Sequence, residues 1–343
     1  MLKKALVCAV AMAMTAAVCS CGTNTDTSTS TSGSADPGTS QQETQSGYPE
    51  REIQIVIPMG TGGDTDLNAR IFSKYLEEEL GVPLVCNNVT GAGGAVGARQ
   101  VKDADPDGYT ALFFQYAGLI QQMTGVVDFS YVDDFEIAGI GMFDKCNLWL
   151  GSANGKYETL EDLVEDAKAN PGKINIGTSG TGNMAHFLVK MLEEQAGVTF
   201  NIVDLGGQSQ LQAALMSGQI AAYTGYYSNS KSFIDSGDFR VLGVFTEEES
   251  HPLLPDAPTM NEQGFDMDFL NDKYYYYAFP KGTPEEVINR FSEAMQKVCE
   301  NPEVQKEFDQ YFVTVEYMSP EESVEYIKNL ESQYNEYKSV FDQ

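Results

Sequence analysis

Three times in this chain a short apolar run ends in a glycine-rich turn that opens straight into a helical pattern. Residues 53–57 lead to Gly60-Thr61-Gly62-Gly63 and a helix over 67–80. Residues 84–88 lead to Gly91-Ala92-Gly93-Gly94 and another helix. Residues 174–177 lead to Thr178-Ser179-Gly180-Thr181-Gly182 and a helix over 183–196. A helix entered so abruptly must pack back on its strand, which excludes an all-helical bundle and an all-β sandwich. The alternation continues with strands at 110–114, 137–142, 147–150, 201–203, 220–223 and 241–245. Helices begin at the cap Thr159-Leu160-Glu161-Asp162 and run over 209–217. Strands separated by helices of this length predict parallel-type sheets covered on both faces, an α/β fold. From Pro284 the pattern is mainly helical, over 284–301, 302–311 and 320–340, each segment with proline near its start. No internal repeat stands out.

The first twenty residues read as an address. Lys3 and Lys4 precede an apolar run over 5–18 that ends in Cys19-Ser20-Cys21. This pattern predicts a lipoprotein signal over 1–20, with Cys21 as the lipidated residue and the only membrane anchor. Residues 22–47 are Ser, Thr, Gln and Gly with little apolar content, which predicts a flexible tether, and folding is expected from Tyr48. The formal charge is −29, from 21 basic and 50 acidic side chains. Such an excess repels nucleic-acid phosphates, so nucleic acid is excluded as a partner. Cys86, Cys146 and Cys299 have no metal-binding spacing and sit among apolar residues, which predicts buried inert thiols and no metal.

Glycine loops at helix starts are where α/β sheets hold ligands, because free N–H groups of the helix face the loop. Which chemistry follows is constrained by what is missing. Gly91, Gly93 and Gly97 form only a loose dinucleotide fingerprint, better explained by close helix–strand packing, and no phosphate-binding GxxxxGK[ST] run exists. No cofactor is expected. Ser179 lacks the last glycine of a hydrolase nucleophile elbow, His186 seven residues on reads as a packing or capping residue, and His251 lies in a Pro-rich loop. These signals do not make an enzyme.

In order along the chain, Pro58-Met59-Gly60-Thr61-Gly62-Gly63-Asp64-Thr65-Asp66, Asn87-Asn88-Val89-Thr90-Gly91-Ala92-Gly93-Gly94, Pro106-Asp107-Gly108-Tyr109-Thr110, Asn170-Pro171-Gly172-Lys173, Gly180-Thr181-Gly182 with His186, Pro255-Asp256-Ala257-Pro258-Thr259 and Pro280-Lys281-Gly282-Thr283-Pro284 resemble the receptors of tripartite tricarboxylate transporters, the Bug-type solute-binding proteins. The resemblance runs from Tyr48 to the C-terminus. It implies a periplasmic-binding-protein-like fold: two α/β domains joined by hinge strands, with a ligand cleft between them. The implied boundaries are 48–145 plus 274–343 for the first domain and 146–273 for the second. It also implies capture of a small carboxylate, delivered to membrane permease subunits, with no catalysis.

Carried over by motif, the contacts fall on Thr61, Gly62, Gly63 and Asp66 in the first domain. In the second they fall on Thr178, Ser179, Gly180, Thr181, Gly182 and Asn183. Gln115 and Thr224 take rim positions where the family has other residues, so the solute's identity stays open. Asp64 replaces a usual glycine. Either it points to solvent or caps the helix, or it faces the cleft and pairs with an amino group of the solute. Alternate tyrosines of Tyr274-Tyr275-Tyr276-Tyr277 are expected to face cleft and core in a hinge strand. A sensor-coupled receptor and a secreted serine hydrolase on Ser179 and His186 are the competing functions.

Overall fold

The computed structural model describes residues 47–341, apart from 181 and 268–271. Cys21, the leader and nearly all of the tether lie outside the described residues, as does Thr181. The strand β1 (Ile53–Ile57) lies between β2 (Leu84–Asn88) and β3 (Thr110–Gln115), and the first sheet continues through β10 (Lys273–Pro280), β4 (Phe135–Asp144) and β11 (Thr314–Met318). The second sheet has the order β7-β6-β8-β5-β9, with β5 at Asn147–Ser152, β6 at Asn175–Thr178, β7 at Asn201–Asp204, β8 at Ala222–Tyr226 and β9 at Phe239–Val244. The α/β expectation is met, but the sheets are mixed rather than parallel. β1 runs parallel to β2 and β3, and β6 to β7 and β8, whereas β10 and β5 are each antiparallel to both neighbours. The reason is connectivity. β5 and β10 are the strands on which the chain arrives from the other sheet, and each enters from the opposite end.

The two sheets thus share one strand order: one strand between two parallel neighbours, then the arriving reversed strand and one further antiparallel strand, to which the first sheet adds β11 at its edge. No sequence repeat announces this, because burial pattern and connectivity can recur without identical residues.

The helices form where the sequence supplies both a cap and an apolar stripe. Helix α1 (Asp64–Leu80) buries Ala69, Phe72, Leu76 and Leu80 at three- and four-residue spacing and stops at Gly81, whose φ of 77° ends it cleanly. It begins three residues before the predicted start, at the glycine loop itself. After α2 (Ala95–Lys102) and α3 (Ala117–Met123), α4 (Leu160–Ala169) opens on the expected box, the Asp162 N–H donating to Thr159 Oγ1 at 3.1 Å. In the second half follow α5 (Met184–Ala196), α6 (Gln208–Met216) and α7 (Tyr227–Asp235); α8 (Glu285–Glu300), α9 (Pro302–Asp309) and α10 (Pro320–Glu336) complete the first. The tail's β11 falls between the helices predicted over 302–311 and 320–340, where the sequence pattern sets off no strand.

β10 is the centre of the first sheet. Tyr274, Tyr275, Tyr276 and Tyr277 are at most 2% exposed, so neither set of alternate tyrosines faces an open cleft. Tyr277 meets Phe72 of α1 and Phe291 of α8, and Tyr274 meets Tyr326 of α10 on the other face. Both faces of the strand are covered by helices. Cys146 and Cys299 are buried free thiols and Cys86 is half-buried; burial pushes all three above the usual thiol range.

The second glycine loop is a packing device. A Cβ on Gly97 would stand 2.7 Å from the Val89 carbonyl oxygen and 2.8 Å from Pro58 Cβ. Neither neighbour is a flexible side-chain tip, so Gly97→Ala should cost about 1–3 kcal/mol in urea denaturation. An unchanged midpoint would contradict the close approach.

Candidate functional site

The first loop is held in shape from below. Asp66 is buried, and its Oδ2 accepts the Gly62 N–H at 2.9 Å. Its Oδ1 accepts from Arg70 Nε and Asn88 Nδ2, each at 2.9 Å, and Asn88 Nδ2 also reaches the Met59 carbonyl. Burial opposes its charge, but the Gly62 amide, Asn88 and Arg70 together hold the carboxyl below its usual range. Asp66 therefore ties the loop down instead of capping the helix. Thr61, Gly62 and Gly63 are exposed above it, and Gly63 is the helix N-cap.

Asp64, in the first turn of α1, turns one carboxyl oxygen to the helix start and the other to a buried cation. Its Oδ1 accepts the Thr65 N–H at 2.8 Å, while its Oδ2 is taken by the ammonium of Lys273 and by the Tyr275 hydroxyl at 3.2 Å. The cation beside Asp64 comes from the chain itself. Lys273 opens β10, where its Cα partner is Asp144 at the end of β4. Its Nζ also lies 5.0 Å from the ring centre of Tyr226, in β8 of the other sheet. Burial works against this ammonium, yet Asp64 first, then Tyr275, Tyr116 and Asp144, hold it well above its usual range. Asp144 is different: burial pushes it up to about 7, against the pull of Lys273 and of the Ser228 hydroxyl, which donates to its Oδ2 at 2.7 Å. Tyr116 and Tyr226 share a hydrogen bond. Residues of both sheets and both crossing points thus converge on one buried polar cluster.

The second half supplies the third loop. Asn183 caps α5, its Oδ1 accepting the His186 N–H at 3.0 Å, and its Nδ2 donates to Ser179 Oγ at 2.8 Å. His186 Nδ1 accepts the Gly182 N–H at 2.9 Å. Gly180 and Gly182 have φ of 139° and 75°, the left-handed region that makes the loop possible. His186 is a capping and packing residue, as expected, and Ser179 is not its partner. Thr178, 1% exposed, has a hydroxyl with no hydrogen-bond partner. Thr224 is buried in β8 opposite Trp149 of β5, whose indole N–H is also unpartnered. Gln115 is buried in β3 and turns its Oε1 back to the Ala117 N–H at 2.8 Å.

The structure therefore groups Asp64 with the lysine cluster and Thr178 with Thr224 in one cross-strand row. Among the described residues no hydrogen bond joins Thr61–Asp66 to Thr178–Asn183. Lys273, Asp144 and Trp149 were missed as site residues. Only a lysine heading a run of strand-forming tyrosines hinted at the first of them.

The family model for the tripartite tricarboxylate transporter receptor matches residues 68–340. This chain belongs to that family. Family membership makes it an extracytoplasmic solute-binding receptor and not an enzyme. BugT of Bordetella pertussis is 29% identical over 268 residues, covering 76% of this receptor and 82% of BugT. The periplasmic binding protein BugD superposes with a TM-score of 0.72 at 27% identity, over 84% of this receptor and 97% of BugD. MatC of Rhodopseudomonas palustris, solved with bound malate, has a TM-score of 0.74 at 21% identity, over 85% of this receptor and all of MatC, and shares the fold. Among the described residues no helix of the receptor is long and apolar enough to cross a membrane.

Proposed function

We propose that the receptor captures a small carboxylate between its two halves and delivers it to the permease subunits of a tripartite tricarboxylate-type transporter. The observation that carries this is the pair of glycine loops at the starts of α1 and α5, one on each sheet, with the unpartnered Thr178 hydroxyl at the root of the second. Backbone N–H groups at a helix start present partial positive charge to a carboxylate without needing a side-chain cation. Thr61, Gly62 and Gly63 would serve from the first half. Ser179, Gly180, Thr181, Gly182 and Asn183 would serve from the second, with Thr178 and Thr224 behind them, while Asp66 shapes the first loop and Gln115 lines the rim. A malate-bound protein of the same fold supports the ligand class.

The proposed moving parts are 48–145 plus 274–343 against 146–273, hinged where β4 passes to β5 and where β10 returns. Solute released by denaturation from receptor purified out of its native host, and weighed by mass spectrometry, should be a carboxylic acid. A sugar or an amine without a carboxyl group would contradict the reading.

We also infer that Cys21 carries the lipid anchor. Cys21→Ser is then expected to move the receptor from washed membranes to the soluble fraction, since one acylated terminus would do all the anchoring. Unchanged membrane retention would refute the anchor without touching the solute site.

A further inference from the structure

We propose that Lys273 is the specificity-determining residue of the cleft: its ammonium takes one carboxylate of a dicarboxylate solute, in competition with Asp64. This rests on the carboxylate-receptor reading above. An ammonium has three N–H donors. Asp64 takes one of them, and the Tyr275 hydroxyl donates to the same Asp64 oxygen. The pair is largely but not fully buried, the Lys273 side chain being 7% exposed and that of Asp64 29%. No other ion-paired lysine or arginine among the described residues is so buried.

A second observation comes from the opposite wall. Thr224 and Tyr226 project from the same face of β8, two residues apart, and Thr178 stands beside them at the end of β6. Lys273 lies against Tyr226, and the Thr178 hydroxyl waits unpartnered along the same wall. A solute with two carboxylates fits this division: one on the Thr178 hydroxyl, the other on the ammonium. The other ionisable groups of the cluster are carboxyls and phenols, so without Lys273 a second carboxylate would meet Asp64 and no cation. Asp64 neutralises the same ammonium and lowers the affinity it can give.

The test is calorimetry with succinate and monomethyl succinate on three proteins: wild type, Asp64→Asn, and Asp64→Asn with Lys273→Met. The double variant leaves Asp144 as the one carboxyl of the cluster, and burial favours its neutral form, so the protein is expected to fold. Wild type should prefer the diacid by roughly tenfold or more, and Asp64→Asn should tighten succinate by about tenfold with little change for the half-ester. In the double variant the preference should fall to about threefold or less. A double variant that discriminates as well as wild type overturns the role of Lys273 and leaves the receptor reading standing. A wild type that binds neither compound, nor any other dicarboxylate of four to six carbons, overturns the receptor reading and this inference with it.

Discussion

Lys273→Met alone should lower folding stability by about 3 kcal/mol, and adding Asp64→Asn should return most of that loss. Removing one member of a buried ion pair strands the other, and the stranded charge is the larger part of the cost. Here the survivor is Asp64, whose side chain keeps 29% exposure, so the loss sits at the low end of the range for buried pairs. Replacing both members leaves an amide beside a thioether, with the Thr65 N–H still able to donate to the amide oxygen. Urea denaturation of the four proteins at neutral pH gives the comparison. Equal losses in the single and the double variant would mean that packing of the lysine stem, and not its charge, holds the cluster together.

Stability should also fall as pH rises from about 4 to about 7, and Asp144→Asn should remove the larger part of that fall, the rest coming from Asp272, which burial raises to about 6. Asp144 is raised from 3.8 to about 7 in the folded chain, chiefly by burial. Between those values the folded state holds a proton that the unfolded state has lost, so each added pH unit disfavours folding, by at most about 1.4 kcal/mol. Above the folded value the contribution is fully lost, and Asp144→Asn is then the more stable protein. Asp64 runs the other way, its carboxyl held below the usual range despite burial because Lys273 pairs with it. Its contribution is present above the usual carboxylate pKa and fades only as pH falls through that range. The two acids therefore act in different windows. Thermal unfolding of wild type and Asp144→Asn from pH 4 to 8 separates them, and parallel curves would show that Asp144 is ionised throughout.

Local chemistry was the legible part of this chain. Gly62, Gly180 and Gly182 have positive φ, as tight loops before helices require, and the caps at Thr159, Asn183 and Ser319 place the starts of α4, α5 and α10. β1 and β2 could be read to the residue because apolar runs bounded by Pro and Gly leave little choice. Distant pairing was not legible. Asp64 and Lys273 stand 209 positions apart and meet only because β10 inserts between β3 and β4. Likewise, Tyr226 closes β8 of the other sheet and comes to lie over the lysine only through the pairing of distant strands. Reversal of the arriving strands, and with it the meeting of two acids and one buried cation, depends on topology and not on any local pattern.

Uptake of a small organic anion between two halves, through loop amides, the Thr178 hydroxyl and Lys273, requires that the receptor tell anions from cations and neutral molecules of the same length. Calorimetric titration of the purified receptor with four- to six-carbon dicarboxylates, beside diamines and neutral diols of equal length, tests it most directly. The expected result is saturable one-to-one binding of at least one dicarboxylate, with dissociation constants of about micromolar or below, and no heat from the diamines or diols. Binding of a diamine or a diol in place of every dicarboxylate would contradict the account.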